Sequence, residues 1–491
     1  MSRYDDVVNL AVRRSLFYPA SEIYSTAPAG MYDYGPFGTT IKRKIVDLWR
    51  KQLVQKENFL EIDGALIMPE DVFKASGHLG NFNDPMTQCV KCNTVHRADK
   101  LLEENSKDQY REAMPVAELT AALRILKLNC PKCKGELSDV RQFNMMIKSE
   151  IGVVSKVPTY LRMETCQSIF LDWDRLVKTM RVKLPKGVAQ YGTVFRNEIS
   201  PRQTLLRLVE LHQMETEVFF DPKEIDVIER WDEVKHYKVN VLRVGQHAES
   251  LTTEQLVKEK IVSGKLIAYY LAREQQFFEL LGLPLEKMRF RELDDTERAF
   301  YAKEGWDFEV ETSTGWRELS ANNYRTDYDL KRHGEGSKKD LSFLREDGSR
   351  FIPHVWEISI GVDRTFFTAL ELAYRQEGER TWLSLPPSLA PIQAGVFPLL
   401  SNKPELVIKA KEVYESLRDC YDVMYDGTGS IGKRYARLDE IGVPFCITVD
   451  FDSLAKNDVT IRARDSGKQQ RVKIAELQDT LYKLITGKMN L

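Results

Sequence analysis

Between Val188 and Phe220 the chain runs VAQYGTVF, then RNEISPRQTLLR, then LVELHQMETEVFF. Two strand-like runs joined through a Ser-Pro turn predict a β-hairpin with a long loop. Strand side chains alternate faces, so Gln213, Glu215 and Glu217 share one face of the return strand. The loop gathers Arg196, Arg202 and Arg207. Any fold for this chain must therefore hold a sheet floored by carboxylates and rimmed by guanidinium groups. Two readings fit. The hairpin turns its charge to water, or the loop grips a polyanion while the glutamates hold an ammonium group. Arginine binds phosphate or carboxylate oxygens in two parallel hydrogen bonds, which lysine cannot imitate.

A second stretch, VWEISIGVDRTFF at 355–367, has the same character. Its strand carries Glu357 and Ser359 on one face. Gly361 marks a close approach, and Arg364 falls in the first turn of a helix. A cation there opposes the helix dipole, so either a nearby carboxylate or a bound anion must compensate. The net charge of −2 provides no global basic field, so any polyanion site is local. No apolar run approaches the ~20 residues of a membrane span, and the charged start MSRYDDVVNL lacks a signal core.

The spacing of Ile41, Ile45, Leu48, Trp49 and Val54 predicts an amphipathic helix over 38–57, followed by a strand ending at Pro69. YLRMETCQSIF reads as a further strand, 223–292 as charged and helical, and SLPPSLAP (384–391) as a linker. Beyond it, strands and helices alternate, which predicts a small α/β domain with a mostly parallel sheet. There Gly427-Thr-Gly429-Ser-Ile-Gly432 imitates a dinucleotide fingerprint. Lys433 and Arg434 follow at once, and a tight strand-to-helix turn explains the glycines.

Four of the seven cysteines form two Cys-x-x-Cys turns, Cys89/Cys92 and Cys130/Cys133. Two such turns supply a tetrahedral Zn²⁺ with four thiolates, a closed structural site. His96 is a weaker alternative ligand. Cys166, Cys420 and Cys446 read as buried thiols. This usage implies a reducing, cytoplasmic setting.

FYPASEIY, YDYGPFG, DPMTQCVKCNTVHRADKL, FNMMIKSEIG, LRMETCQSIF, FRNEISPR, HQMETE, GWREL, RTDYDL and PHVWEISIGVDR occur in this order. Together they resemble the class II aminoacyl-tRNA synthetases, and within them the glycyl-tRNA synthetases of archaeal and eukaryotic type. The resemblance implies an α+β catalytic core, an antiparallel sheet flanked by helices, with inserted modules and a C-terminal α/β anticodon-binding domain. It divides the chain into core (1–83, motif 1), zinc module (84–150), core (151–222, motif 2), helical insertion (223–292), core (293–386, motif 3) and anticodon-binding domain (387–491).

The implied activity is glycine–tRNA ligation. ATP and glycine form glycyl-adenylate, and glycine passes to the 3′ end of tRNA-Gly. The implied cofactors are Mg²⁺ with ATP and structural Zn²⁺, and the implied assembly is a homodimer. Arg196 would bridge the α-phosphate and the amino-acid carboxylate. Glu198 would read the adenine, and Arg364 the γ-phosphate. Asn197, Leu206, Arg207, Glu210, Leu211, Glu318, Leu319, Glu357 and Gly361 would complete the ATP site, with Glu357 positioning magnesium. Arg97, Glu164, Gln213, Glu215, Glu318, Glu357 and Ser359 would form the glycine site.

The chain departs from the family pattern at Met163, Cys166 and Ser168, at Leu211 in place of a stacking Phe, and at Ser320 to Tyr324. Two other functions compete: a non-catalytic nucleic-acid-binding relative, and a synthetase for another small amino acid.

Overall fold

The computed structural model describes residues 2–106, 110, 114–199, 201 and 203–491. Arg202 of the charged loop lies outside the described residues. Nine strands form the main sheet. In chain order they are β1 (Leu60–Glu61), β2 (Lys186–Phe195), β3 (Glu210–Phe220), β4 (Lys238–Leu242), β5 (Glu249–Thr252), β6 (Met288–Glu292), β7 (Glu304–Thr312), β8 (Gly315–Thr326) and β9 (His354–Gly361). Their spatial order is β5-β4-β6-β7-β8-β9-β3-β2-β1, antiparallel except for the β4/β6 and β2/β1 pairs.

Helices α1 (Pro36–Trp49), α2 (Cys166–Met180), α3 (Lys265–Leu280) and α4 (Val362–Ala373) position this sheet. Met214, Val218, Trp356, Ile358 and Ile360 point to one face and pack with Ile41, Trp49, Phe277 and Phe366 in the principal core. The alternate residues Gln213, Glu215, Glu217, Glu357 and Ser359 therefore point to the opposite face. There α2 closes one end, with Trp173 stacked on Phe219 at a centroid distance of 3.8 Å. The rest of that face remains open as a cleft.

Three expectations are corrected. YLRMETCQSIF is strand only at Tyr160 and Leu161, the end of Val157–Leu161, because α2 begins at Cys166. Ile169, Phe170 and Trp173 share the helical stripe that buries against Phe219 and Leu330. The segment 223–292 is not a solvated helical insertion. It gives β4, β5 and β6 to the sheet and places α3 in the core. Its charges misled because they are paired: buried Arg273 meets Glu57 at 3.1 Å and Glu233.

The C-terminal sheet is mixed, not mostly parallel. β10 (Ala394–Pro398) pairs parallel with β11 (Val423–Tyr425) and β12 (Phe445–Val449). β13 (Asp458–Ala463) and β14 (Gln469–Lys473) add antiparallel. Their short connections cannot host the long crossover that parallel pairing requires. In this domain the Gly427–Gly432 loop wraps a buried arginine. Arg434 donates to the carbonyls of Gly427 and Gly429, at 3.3 and 2.6 Å. Carbonyl groups turned inward onto a cation are the opposite of a phosphate cradle. The Pro-rich linker is packed, with Leu385, Leu389 and Ala390 buried and Arg464 donating to the Leu385 carbonyl.

The altered segment 320–324 divides by strand alternation. Ala321 and Asn323 face the cleft, and Ser320 and Asn322 turn into the core beside Glu274 of α3. Burial pushes the Glu274 carboxyl up to about 8, and Ser320 and Asn322 only partly offset it. The folded chain thus holds a proton there that the unfolded chain releases above about pH 4.5. Folding stability should fall as pH rises from the ordinary carboxyl range to about 8, by at most about 1.4 kcal/mol per unit. Glu274→Gln should remove that slope and stabilise the protein by about 1–3 kcal/mol near pH 8. Urea midpoints at about pH 5.5 and about pH 8 test this. An unchanged slope in the variant would exclude Glu274 as its source.

Candidate active site

The floor of the cleft is set by register. Glu217 stands directly opposite Glu357, and Glu215 opposite Ser359, across β3 and β9. On the other side of β9, Asn323 stands opposite Glu357. Like charges facing each other across a sheet are destabilising unless a cation intervenes. Arg325, fully buried, is that cation. It grips Asp329 through two 2.7 Å bonds, donates to Glu357 at 2.9 Å, and lies 3.8 Å from the Tyr301 ring centre. Asn323 donates to the second Glu357 oxygen at 2.8 Å. Burial still pushes Glu357 up to about 7, even with Arg325 pulling it down.

Glu215 accepts from the Thr165 amide at 2.7 Å, from the Thr165 hydroxyl, and from Ser359 at 2.7 Å. Burial and the nearby Glu164 raise its pKa. Glu164 accepts from Gln167 at 2.7 Å, and His78 Nε2 lies 3.4 Å away. Burial would raise Glu164, but its cationic and hydrogen-bonding neighbours hold it down to about 2. Glu217 is wholly buried, and neither of its oxygens has a hydrogen-bond partner. Burial first, then Glu357, drives its pKa well above the carboxylate range.

Above this floor lies a cleft of about 230 Å³. Arg196, Glu198, Leu206, Arg207, Leu211, Gln213, Glu318, Leu319, Ser359, Gly361 and Arg364 all line it. Arg196 donates through Nε to the Met163 carbonyl at 3.2 Å and has no ion-pair partner among the described residues. Arg207 holds Glu198 at 2.6 Å. Arg364, in the first turn of α4, meets the Glu318 carboxylate at 3.2 Å and the Leu206 carbonyl at 3.3 Å.

Several expected residues fall elsewhere. Glu318 is half-exposed on the Arg364 rim, away from the buried carboxylates. Arg97 is held by Asp84 at 2.9 Å and by Asp99, because those buried carboxylates demand a cation. Asn197 and Glu210 are exposed and do not line the cleft. Glu357 lies beneath the cleft wall, each oxygen already bonded, which suits a hydrated magnesium ion poorly. Gly361 is not a tight approach either: a Cβ there would meet the Leu319 carbonyl at an ordinary 3.7 Å.

Sequence reasoning missed a second network. Asp363 accepts from the His212 amide at 2.6 Å and from Tyr34 at 2.5 Å, and Lys42 reaches His212 at 3.0 Å. Burial would raise Asp363, but His212, Lys42 and Tyr34 hold it below its ordinary range. Both His212 and Asp363 line the cleft. Arg325 was missed as well. Both sets lie in stretches already singled out, YDYGPFG, VDR and RTDYDL, so the signal was present.

In the inserted module the sulfur atoms of Cys89, Cys92, Cys130 and Cys133 all lie within 4.8 Å of one another. Cys89 and Cys133 are 3.4 Å apart, and Cys92 and Cys130 3.7 Å. A tetrahedral ion with ~2.3 Å bonds to sulfur needs sulfur separations of about 3.8 Å, so the set fits one ion. His96 Nε2 lies 3.4 Å from the Cys130 sulfur, beside this set.

A family described as "Anticodon binding domain" matches residues 393–484. The glycine–tRNA ligase of Methanothermobacter thermautotrophicus is 36% identical over 98% of this chain and 99% of its own. The glycine–tRNA ligase of Methanocaldococcus jannaschii is 37% identical over 97% of this chain and 98% of its own. That of Aeropyrum pernix is 35% identical, covering 98% and 97% respectively. Among the described residues, no helix is long and apolar enough to cross a membrane.

Removing Arg325 strands Glu357 and Asp329 without their cation. Arg325→Leu should cost about 3–5 kcal/mol of stability. Adding Glu357→Gln should recover part of that loss. Urea unfolding of the single and double variants checks both. A single variant as stable as the parent would mean that Arg325 does not hold these carboxylates.

Proposed function

The chain belongs to the family of glycine–tRNA ligases, and we propose how its cleft carries out that family's reaction. Glycine lies with its ammonium group above Glu164, Glu215 and Glu357 and its carboxylate toward Arg196. ATP lies along the cleft between Arg196 and Arg364. The glycine carboxylate attacks the α-phosphate in line, giving glycyl-adenylate and pyrophosphate. Glycine then passes to the 3′ end of tRNA-Gly. The observation that carries this reading is Arg196. It is a half-buried guanidinium without a carboxylate partner among the described residues, fixed on the cleft wall by the carbonyl of Met163, next to Glu164. It is free to take both reacting anions, and the protein contributes position and charge rather than a nucleophile.

Arg364 would leave Glu318 for the terminal phosphates, and Leu206 and Leu211 give the adenine aliphatic surfaces. Asp363 fixes His212 and the start of α4, so it positions Arg364. Ala321 and Ser359 bring close walls to the substrate's α-carbon. Closeness matters, because an extra methylene in a roomy pocket changes binding by only about 1–3 kcal/mol. Magnesium would enter with ATP at the Glu318 rim, where a hard ion keeps its waters. Its charge there would neutralise phosphate oxygens.

The four-cysteine set suits zinc, which would hold the two halves of the module together without an open coordination position. A homodimer is supported by an exposed apolar group at one edge of the core: Leu66, Ile67, Ile151, Val153, Val154 and Val157.

Glycine-dependent exchange of pyrophosphate into ATP tests the reaction. Arg196→Ala should lower the exchange rate at least about a hundredfold, as losing one preorganised charge contact does, with unfolding unchanged. Exchange with alanine or serine but not glycine would overturn the substrate. Native mass spectrometry tests the assembly and should read two chains and one zinc ion per chain. A monomer, or a metal-free dimer, would remove the corresponding claim.

A further inference from the structure

The departure at Cys166 places a thiol inside the carboxylate floor. Its sulfur and one oxygen each of Glu215 and Glu357 all lie within 4.8 Å of one another, and all three residues are buried. Glu217 stands on the same face of β3, opposite Glu357, with neither carboxylate oxygen satisfied. Around this point Glu164, Glu215, Glu217 and Glu357 all feel the buried guanidinium of Arg325, which Asp329 already engages from the other side, and Glu215 also feels buried Arg162. Glu215 Oε2 accepts two hydrogen bonds from Thr165, but Glu215 Oε1 and both oxygens of Glu357 accept one each and keep a second lone pair. Ser359, which donates to Glu215, lines the cleft, so the group lies one side chain beneath the side where substrate would enter.

An ammonium group satisfies the charge of such a floor but makes no use of a thiol. A thiophilic divalent ion uses both, with bonds of about 2.3 Å to sulfur and about 2.0–2.2 Å to oxygen. We propose that Cys166, Glu215 and Glu357 form a site for a soft divalent cation such as Zn²⁺ or Cd²⁺, and that this ion competes with the substrate's ammonium group. Binding replaces the thiol proton: the sulfur–hydrogen bond breaks, a sulfur–metal bond forms, and the proton leaves to solvent. The unsatisfied Glu217 supplies compensating charge without coordinating. This inference rests on the ammonium reading of the same carboxylates. It adds that the pocket is metal-sensitive through a residue the substrate does not need.

The test is Cd²⁺ binding to the full-length chain with its four-cysteine site already filled, followed by metal analysis after dialysis and by the thiolate-to-cadmium ultraviolet band. One further equivalent should bind. Cys166→Ala and the isosteric Cys166→Ser should each lose it, with circular dichroism confirming that they fold. A non-hydrolysable glycyl-adenylate analogue should expel that equivalent from the parent protein. Equal Cd²⁺ uptake by parent and both variants overturns the site, as does an extra ion that the analogue leaves in place. Analogue binding to Glu215→Gln separates the two ideas. If that variant binds the analogue as well as the parent does, the ammonium reading fails. If it loses the analogue while the Cys166 variants keep all their cadmium, the ammonium reading stands and the metal site fails.

Discussion

The active face depends on one buried arginine. The registers of β3, β9 and β8 bring Glu217, Glu357 and Asn323 into line, and no choice of rotamer separates carboxylates fixed on adjacent strands. Arg325 makes that arrangement tenable by closing on Asp329 and Glu357 at once. The balance is incomplete: Glu217 remains unsatisfied and Glu357 is driven upward in pKa. A floor short of positive charge is a poor stabilising element and a good receptor for a cation. The same deficit that makes the site costly to fold makes it selective for what it binds.

Much of this was legible in the sequence. The hairpin follows from two alternating runs around a Ser-Pro turn; in the structure Arg196 and Gln213 line the cleft, and Glu215 is buried beneath it on the same strand face. Arg364 was legible because a cation in a first helical turn needs a reason. The structure supplies one at rest, the Glu318 carboxylate. What could not be read was pairing at a distance. Glu318 lines the cleft, but at the Arg364 rim, where a bulge between Phe308 and Glu309 shifts the β7/β8 register, and not beside the buried carboxylates. The resemblance alone put Arg97 at the substrate; in the structure Asp84 and the neighbouring Asp99 hold it.

Charge also disguised burial. The segment around Arg273 and Glu274 reads as a solvated helix, yet both side chains lie inside the core. Arg273 is paired, while Glu274 escapes its penalty by keeping a proton. Likewise the run from Ser320 to Tyr324 looks like drift at a pocket edge. Alternation turns Ser320 and Asn322 toward that buried acid, whose oxygens have no hydrogen-bond partner among the described residues, and leaves Ala321 and Asn323 on the cleft side. A departure from a family pattern can thus answer to the far side of a sheet as readily as to the substrate.

Asp84 has a consequence of another kind. This fully buried carboxylate belongs to the inserted module, and it meets both Arg97 of the module and Arg207 of the hairpin loop, the latter at 3.5 Å. Neither arginine can withdraw without weakening the compensation of a buried charge. Arg207 is also the residue that orients Glu198. The module's integrity and the placement of the hairpin loop are therefore thermodynamically linked. By reciprocity, a ligand that tightens one must tighten the other by the same free energy. The inserted module is then more than an ornament on the core, because the loop that carries Arg207 rests on a charge that the module buries.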